Sequence, residues 1–321
     1  MIKPSKRWGW AEICLMVLAA FGLAGMPGFS AAESRPVAIL YPDVREPYRG
    51  VFVSIVQGIE DGLKIPANQY IIEEGESIQT LGAQLARERV KSVIALGRIG
   101  LQAARKFPRE IPVIVGAVLI PPNPEAAEFT GITLTPDPKV LFNWLKTLTP
   151  DVKRVTVIYN RDRDEWGIDQ AREAARPQGL VLNALPAENI REAAALYRDF
   201  LNQIKDGTDA LWLPQDDSIL DENALLPVIL KEAWDKNLVV FSSNPEYVKK
   251  GVLFSLYPDN RGLGRSLAEM AMERMEGGQK SPAILALKDL LIAVNSRTAE
   301  HLGLRFTNQE KRKFDLIFPS P

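Results

Sequence analysis

Six short apolar runs, separated by stretches of helical character, constrain the fold of this chain more than any other feature. They are PVAILYP (36–42), VKSVIALG (90–97), IPVIVGAV (111–118), VKRVTVIYN (152–160), TDALWLPQD (208–216) and NLVVFSS (237–243). Each is rich in Val, Ile and Leu without polar alternation, as parallel strands covered on both faces require. Between them lie FVSIVQGIEDGLK, QTLGAQLARERV, DQAREAARPQG and AALYRDFLNQIKDG, several ending in a Gly suited to a helix cap. Strand and helix in alternation predict right-handed βαβ units and an α/β fold with doubly wound parallel sheets. The pattern breaks over residues 119–138, where prolines and turn formers replace regular periodicity, and restarts at Val152. Two successive α/β halves, forming two lobes, are therefore expected.

The amino terminus carries a different signal. Lys3, Lys6 and Arg7 precede an apolar stretch over about residues 13–25, followed by small residues and Ser30-Ala31-Ala32 before Glu33. This is the layout of a secretory signal peptide, residues 1–32, with cleavage expected after Ala32. An uncleaved anchor is the rival reading, but the apolar run falls short of the roughly 20 residues that span a bilayer. Cys14, the only cysteine, lies inside this segment without the spacing that lipid attachment needs, so the exported chain is expected to have no thiol or disulfide chemistry. Loss of residues 1–32 leaves 36 basic and 39 acidic residues, a balance that implies neither a nucleic-acid partner nor a membrane-coating surface. No later segment is long and apolar enough to cross a membrane, and a soluble periplasmic protein is expected.

In open α/β sheets ligands bind at the carboxyl ends of strands. That rule nominates Tyr41 and Asp43, Gly97 and Arg98, Tyr159 and Asn160, Gln215 and Asp216, and Ser242 and Ser243. Arg98 precedes a helix, where a guanidinium and backbone N–H groups would suit a carboxylate; a solvated or cross-lobe-paired arginine is the alternative. Asp216 suits an ammonium or hydroxyl group. Its neighbour Asp217, or Ser218, is the expected cap of the following helix. Tyr41, Tyr159, Trp166 and Tyr257 are candidates for an aromatic wall, whereas Trp144, Trp212 and Trp234 read as core. The charge cluster RDRDEWG (161–167) reads as a solvated loop.

Catalysis and cofactors find little support. Adjacent Asp216 and Asp217 cannot converge on one proton from a strand, and no further carboxylate or histidine supplies a metal set. His301 is the only histidine, there is no Gly-x-Ser-x-Gly elbow, and neither the Gly97–Gly100 spacing nor GLGR at 262–265 makes a dinucleotide fingerprint. A non-enzyme with no metal and no cofactor is expected.

The stretch NLVVFSSNPEYVKKGVLFSLYPDNRGLGRSLAEMAMERMEGGQKSPAI, followed by AVNSRTAEHLGL, resembles the ABC-transporter substrate-binding proteins of type I periplasmic-binding fold, in the branch that includes tryptophan and aromatic amino-acid binders. Tyr247 to Gly251, Leu263-Gly264-Arg265 opening a helix that ends in Glu276-Gly277-Gly278, and Asn295 to Gly303 carry the likeness. TGITL, LTPDVKRVTVIYN and DALWLPQDDSI fall in the family's order, and the resemblance covers most of residues 90–304. It implies two lobes joined by a three-strand hinge: lobe 1 from 33–130 plus about 258–283, and lobe 2 from 136–252 plus about 286–321. It further implies a monomer that closes over a small organic ligand, such as an amino acid or other carboxylate, and presents it to an ABC permease. A sensory protein of the same fold, signalling to an envelope receptor, is the alternative. Arg98 and the segment AVLIPPNP depart from the family pattern at pocket positions, leaving the ligand preference open.

Overall fold

The computed structural model describes residues 35–73, 78–107, 110–120, 128–204, 207–214, 216, 218–278 and 281–319. Residues 1–32, read above as a signal segment, and Gln215 and Asp217 lie outside the described residues.

Strand β1 (Val37–Pro42) shows how the apolar runs are used. Val37 and Ile39 pack into the core on one face of a sheet, while Ala38 and Leu40 pack into the core on the other. Side chains alternate across a strand, so a continuous apolar run is what two buried faces demand. After β1 come α1 (Tyr48–Leu63), β2 (Asn68–Ile72), α2 (Ile78–Arg87), β3 (Ser92–Leu96), α3 (Gly97–Ala104), β4 (Val113–Val118) and β5 (Thr130–Pro136). With β11 (Ile284–Leu287) these strands form one sheet in the order β11-β5-β4-β3-β1-β2, parallel throughout.

The chain then runs through α4 (Pro138–Leu148), β6 (Arg154–Tyr159), α5 (Arg161–Ala175), β7 (Val181–Pro186), α6 (Ile190–Gln203), β8 (Asp209–Leu213), α7 (Leu225–Asp235), β9 (Val239–Ser242), α8 (Glu246–Lys250) and β10 (Phe254–Pro258). Helix α9 (Asn260–Met275) leads to β11, and β12 (Leu290–Asn295), α10 (Ser296–His301), α11 (Asn308–Lys311) and β13 (Leu316–Phe318) follow. The second sheet has the order β13-β12-β10-β9-β8-β6-β7, parallel except where β12 runs against β10. Ala210 and Trp212 of β8 face one core, Leu211 and Leu213 the other. The protein is thus α/β with two parallel-dominated sheets.

Three strands fall outside the six apolar runs and the Pro-rich and carboxyl-terminal segments singled out from the sequence: β2, β7 and β13. All are edge strands and half-exposed, so they lack the continuous apolar signal of a buried strand. Two further expectations give way. RDRDEWG is no loop but the opening of α5, because the Asn160 side chain accepts from the Asp162 N–H and caps the helix. The helix after β8 starts only at Leu225, so Ser218 does not cap it; the Asp221 carboxylate accepts from the N–H groups of Asn223 and Ala224 in the turn before it.

The chain passes between the sheets three times, and the passages are laced together. The Asp137 N–H donates to the Leu287 carbonyl at 2.8 Å, and the Asp259 N–H donates to the Asp289 carbonyl at 2.9 Å. Ser266 Oγ adds a 2.7 Å hydrogen bond to Asp289. After the second passage, α9 returns to lie along α1 at very close approach: a methyl on Gly264 would stand 2.1 Å from the Ile55 carbonyl oxygen, and one on Gly58 would stand 2.1 Å from that of Arg261. Only glycine permits such contact. An exposed Arg261–Asp61 ion pair, at 2.6 Å, flanks it.

Candidate functional site

The direction of the three passages decides where a ligand could sit. The first leaves the carboxyl end of β5 and enters the amino end of α4, which precedes β6. The second leaves the carboxyl end of β10 and enters α9, which packs on the first sheet and precedes β11. The third leaves the carboxyl end of β11 and enters β12, whose start lies beside the end of β10 because the two are antiparallel. Every passage therefore joins the carboxyl edge of one sheet to the carboxyl edge of the other. Each sheet also reverses its strand order there, between β1 and β3 in the first and between β6 and β8 in the second. Such switch points are where ligands of open α/β sheets bind.

On the first sheet the switch point combines apolar and aromatic side chains with charged ones. Gly97 follows β3 at φ +75°, and a methyl on it would stand 3.1 Å from the Phe52 ring and 3.5 Å from Pro42. The half-buried Tyr41 donates its hydroxyl hydrogen to Gln69 Oε1 at 3.3 Å. Asp43 and Arg98 are exposed, Arg98 in the first turn of α3. Sequence reasoning passed over Tyr48, the first residue of α1, which is 67% exposed, and Leu119, just beyond β4, which is 66% exposed. Their signal was weak because an exposed apolar residue in a helix or loop is unremarkable until the fold puts it at a strand end.

On the second sheet the switch point is polar and acidic. The loop after β8 is tied to the start of α5 by Asn160 Nδ2 donating to Ser218 Oγ at 3.4 Å, and by Arg163 Nη1 donating to Asp216 Oδ1 at 3.2 Å. Asp216 Oδ1 also accepts from the Ser218 N–H at 2.9 Å. Asp216 is thus paired with Arg163 on its own sheet. Among the described residues its second oxygen, Oδ2, is buried with no hydrogen-bond partner, as are Oδ2 of Asp164 and the hydroxyl of Tyr197. Burial, then the charge of Asp216, push the Asp164 carboxyl up to about 6, with Arg163 opposing. Neither Asp164 nor Arg163 was singled out from the sequence beyond the charge cluster that contains them.

Other nominated residues take structural roles. Tyr159 is buried in the core and donates to Glu165 at 2.9 Å, so it forms no aromatic wall. Ser242 is buried, its hydroxyl donating to the Leu213 carbonyl and accepting from the Asn244 N–H, both at 2.9 Å. Ser243 accepts from Trp212 Nε1 at 3.1 Å. These serines fix the end of β9 rather than project from it. Trp166, on α5, and Tyr257, near the end of β10, are half-buried, and burial raises the Tyr257 phenol. Trp212 is core, but Trp234 is not: it is 44% exposed at the end of α7 and stacks on His301 at 3.6 Å, because its helix position faces outward. Among the described residues no group of three or more His, Cys, Asp or Glu is placed to hold a metal ion, and no helix is long and apolar enough to cross a membrane.

A family model for ABC transporter substrate binding proteins matches residues 52–311, most of the chain. The chain belongs to that family. A tyrosine-binding protein of Clostridioides difficile is 22% identical over 270 residues, covering 80% of this chain and 76% of that protein. Among solved structures, the ligand-free, open structure of a substrate-binding protein with adhesive properties from Clostridium difficile aligns over 89% of this chain and 99% of that one, with a TM-score of 0.61 at 20% identity. An ABC domain in complex with L-Trp from Streptococcus pneumonia aligns over 88% of this chain and 100% of that one, with a TM-score of 0.47 at 19% identity.

Proposed function

We propose that this family member is an exported, monomeric, non-enzymatic solute-binding protein that traps a small organic ligand, an amino acid, between two lobes and hands it to an ABC permease. One observation supports the reading: three laced passages join the carboxyl edges of the two sheets, the connection that a binder closing over a ligand between its lobes needs. Lobe 1 would comprise residues 33–130 plus about 258–283, and lobe 2 residues 136–252 plus about 286–321. A ligand touching both lobes favours the closed arrangement by its extra contacts there, and bending at the passages supplies the closure.

The two edges suit the two ends of an aromatic amino acid. Tyr41, Tyr48 and Phe52 offer ring surface on lobe 1, and Arg98 offers a counter-ion for a carboxylate. Asn160 and Asp216 on lobe 2 offer polar partners. The likeness to a tyrosine-binding protein supports the same chemistry.

A thermal-shift screen over amino acids, sugars, nucleosides and small acids tests the proposal, since a ligand that binds only the folded state raises its melting temperature. L-tyrosine or a near relative is expected to give the largest rise, and sugars none. A response to sugars or nucleosides with none to amino acids would overturn the ligand class.

A further inference from the structure

An open groove of about 640 Å3 runs along α7, with the end of α8 and the start of α10 as its other wall. Its volume is within the range of small-molecule sites. Leu226, Leu230 and Trp234, one stripe of α7 at helical spacing, supply the apolar side. The opposite wall is fixed: Asn295 Nδ2 donates to the Val248 carbonyl at 2.8 Å and Thr298 Oγ1 to the Gly251 carbonyl at 2.9 Å, tying α10 to α8. Because β12 runs against β10, Asn295 stands beside the start of β10, away from the carboxyl edge where the passages emerge. None of the residues nominated for the interlobe site lines the groove.

Its aromatic wall is held in place. His301 stacks on the Trp234 ring with centroids 3.6 Å apart, and His301 Nε2 donates to the Trp234 carbonyl oxygen at 2.9 Å, yet Trp234 stays 44% exposed. A ring fixed in this way and left half in water offers packing surface at little entropic cost. The charged lining is Lys231, Lys249, Lys250 and Arg297 against one acid, Glu222. Lys231 is engaged with Asp235 at 2.8 Å, Lys249 with Glu246 at 2.7 Å and Lys250 with Glu222 at 2.8 Å. The Lys250 hydrogen bond holds the Glu222 carboxyl below the usual carboxylate range, so Glu222 is committed and not open to an ammonium. Arg297 differs from the three lysines. It is exposed, and among the described residues its side chain has no hydrogen bond or ion pair.

We propose that this groove is a second ligand site, for an aromatic carboxylate whose rings pack on Trp234 and Leu230 and whose carboxylate is taken by Arg297. The guanidinium presents its N–H donors in a planar fork that matches a carboxylate, and no protein acid competes for it. The excess of positive charge and the committed Glu222 disfavour a zwitterion, which would bring an ammonium among the lysines. The ligand class therefore differs from the amino acid proposed for the interlobe site, and the inference does not rest on that reading.

Nitrogen-15 correlation spectra of the indole N–H groups test this with 2-naphthoate as the probe, the Trp234 signal being identified by its loss in Trp234→Phe. At concentrations up to about 10 mM, 2-naphthoate should shift the Trp234 signal saturably. The signal of Trp212, whose indole is bonded to Ser243, should stay in place. Arg297→Gln, a change at an exposed side chain without partners, should weaken the probe about tenfold and leave the melting temperature unchanged. The neutral 2-naphthamide should bind the parent protein about as weakly. Saturating L-tyrosine should not displace 2-naphthoate from Trp234. A Trp234 signal that 2-naphthoate does not move overturns the site. Equal affinity of the parent and Arg297→Gln, or of 2-naphthoate and 2-naphthamide, overturns the anion class, and displacement by L-tyrosine overturns the separation from the amino-acid site. Each of these failures leaves the solute-binding reading intact.

Discussion

Arg163 Nη1 stands 3.2 Å from Asp216 Oδ1, joining the first turn of α5 to the loop after β8 across 53 residues of sequence. The contact closes the switch point of the second sheet and holds a buried carboxylate in place. It also separates two functions of Asp216: one oxygen fixes the loop, and the other is open.

Removing the arginine should therefore leave a buried charge without its partner. Arg163→Met is expected to destabilise the protein by about 1–2 kcal/mol, less than for a fully buried pair because the guanidinium is half in water. Urea denaturation at pH 7.5 measures it, and a stability equal to the parent protein would show that the ion pair contributes nothing.

Asp216→Ala should weaken L-tyrosine binding at least about tenfold, a loss of roughly 1.4 kcal/mol. Calorimetry at pH 7.5 reads this directly. An unchanged affinity would remove Asp216 from the ligand site.

The raised carboxyl of Asp164 makes a stability prediction of opposite sign. Its ordinary value of 3.8 in the unfolded chain rises to about 6 in the fold, so the native state prefers the protonated form. Charging it costs stability as the pH climbs from about 4 to about 6, and the whole cost is present above that window. Asp164→Asn should thus raise the melting temperature at pH 8 and change it little at pH 4. Melts showing a stabilisation equal at both pH values, or none at pH 8, would contradict the assignment.

Gly264 tests the contact between α1 and α9. A methyl there would press into the Ile55 carbonyl oxygen at 2.1 Å, where neither partner is a flexible side-chain end. Gly264→Ala should cost about 2–3 kcal/mol by forcing the helices apart, seen as a lower midpoint in thermal melts. An alanine variant as stable as the parent would mean that the helices separate freely.

Closure about the three passages should shrink the molecule. Small-angle scattering is expected to show a smaller radius of gyration with saturating L-tyrosine than without it. A radius indifferent to bound ligand would leave the binding reading standing and remove the hinge.

The edge strands and α5 show what was legible in the sequence and what was not. Strands such as β1, β3 and β8 are written as apolar runs because both of their faces are buried, and burial of successive residues is a local, periodic property. The same runs end where their strands end, which is why Arg98, Asn160 and Asp216 could be picked out beyond Leu96, Tyr159 and Leu213. Edge strands β2 and β7 bury too little to leave that mark.

By itself the sequence determined the α/β class, the division into two sheets and the strand ends from which a site is built, since all follow from short-range patterns of apolar and turn-forming residues. Only the tertiary structure decided that Asp216 meets Arg163 and that its charge acts on Asp164, that Tyr159 and Ser242 turn inward, and that Tyr48 and Leu119 are exposed. Those outcomes depend on which distant side chains the packing brings together, and a charge such as that of Asp164 acquires its chemistry only from the burial and the neighbours it then meets.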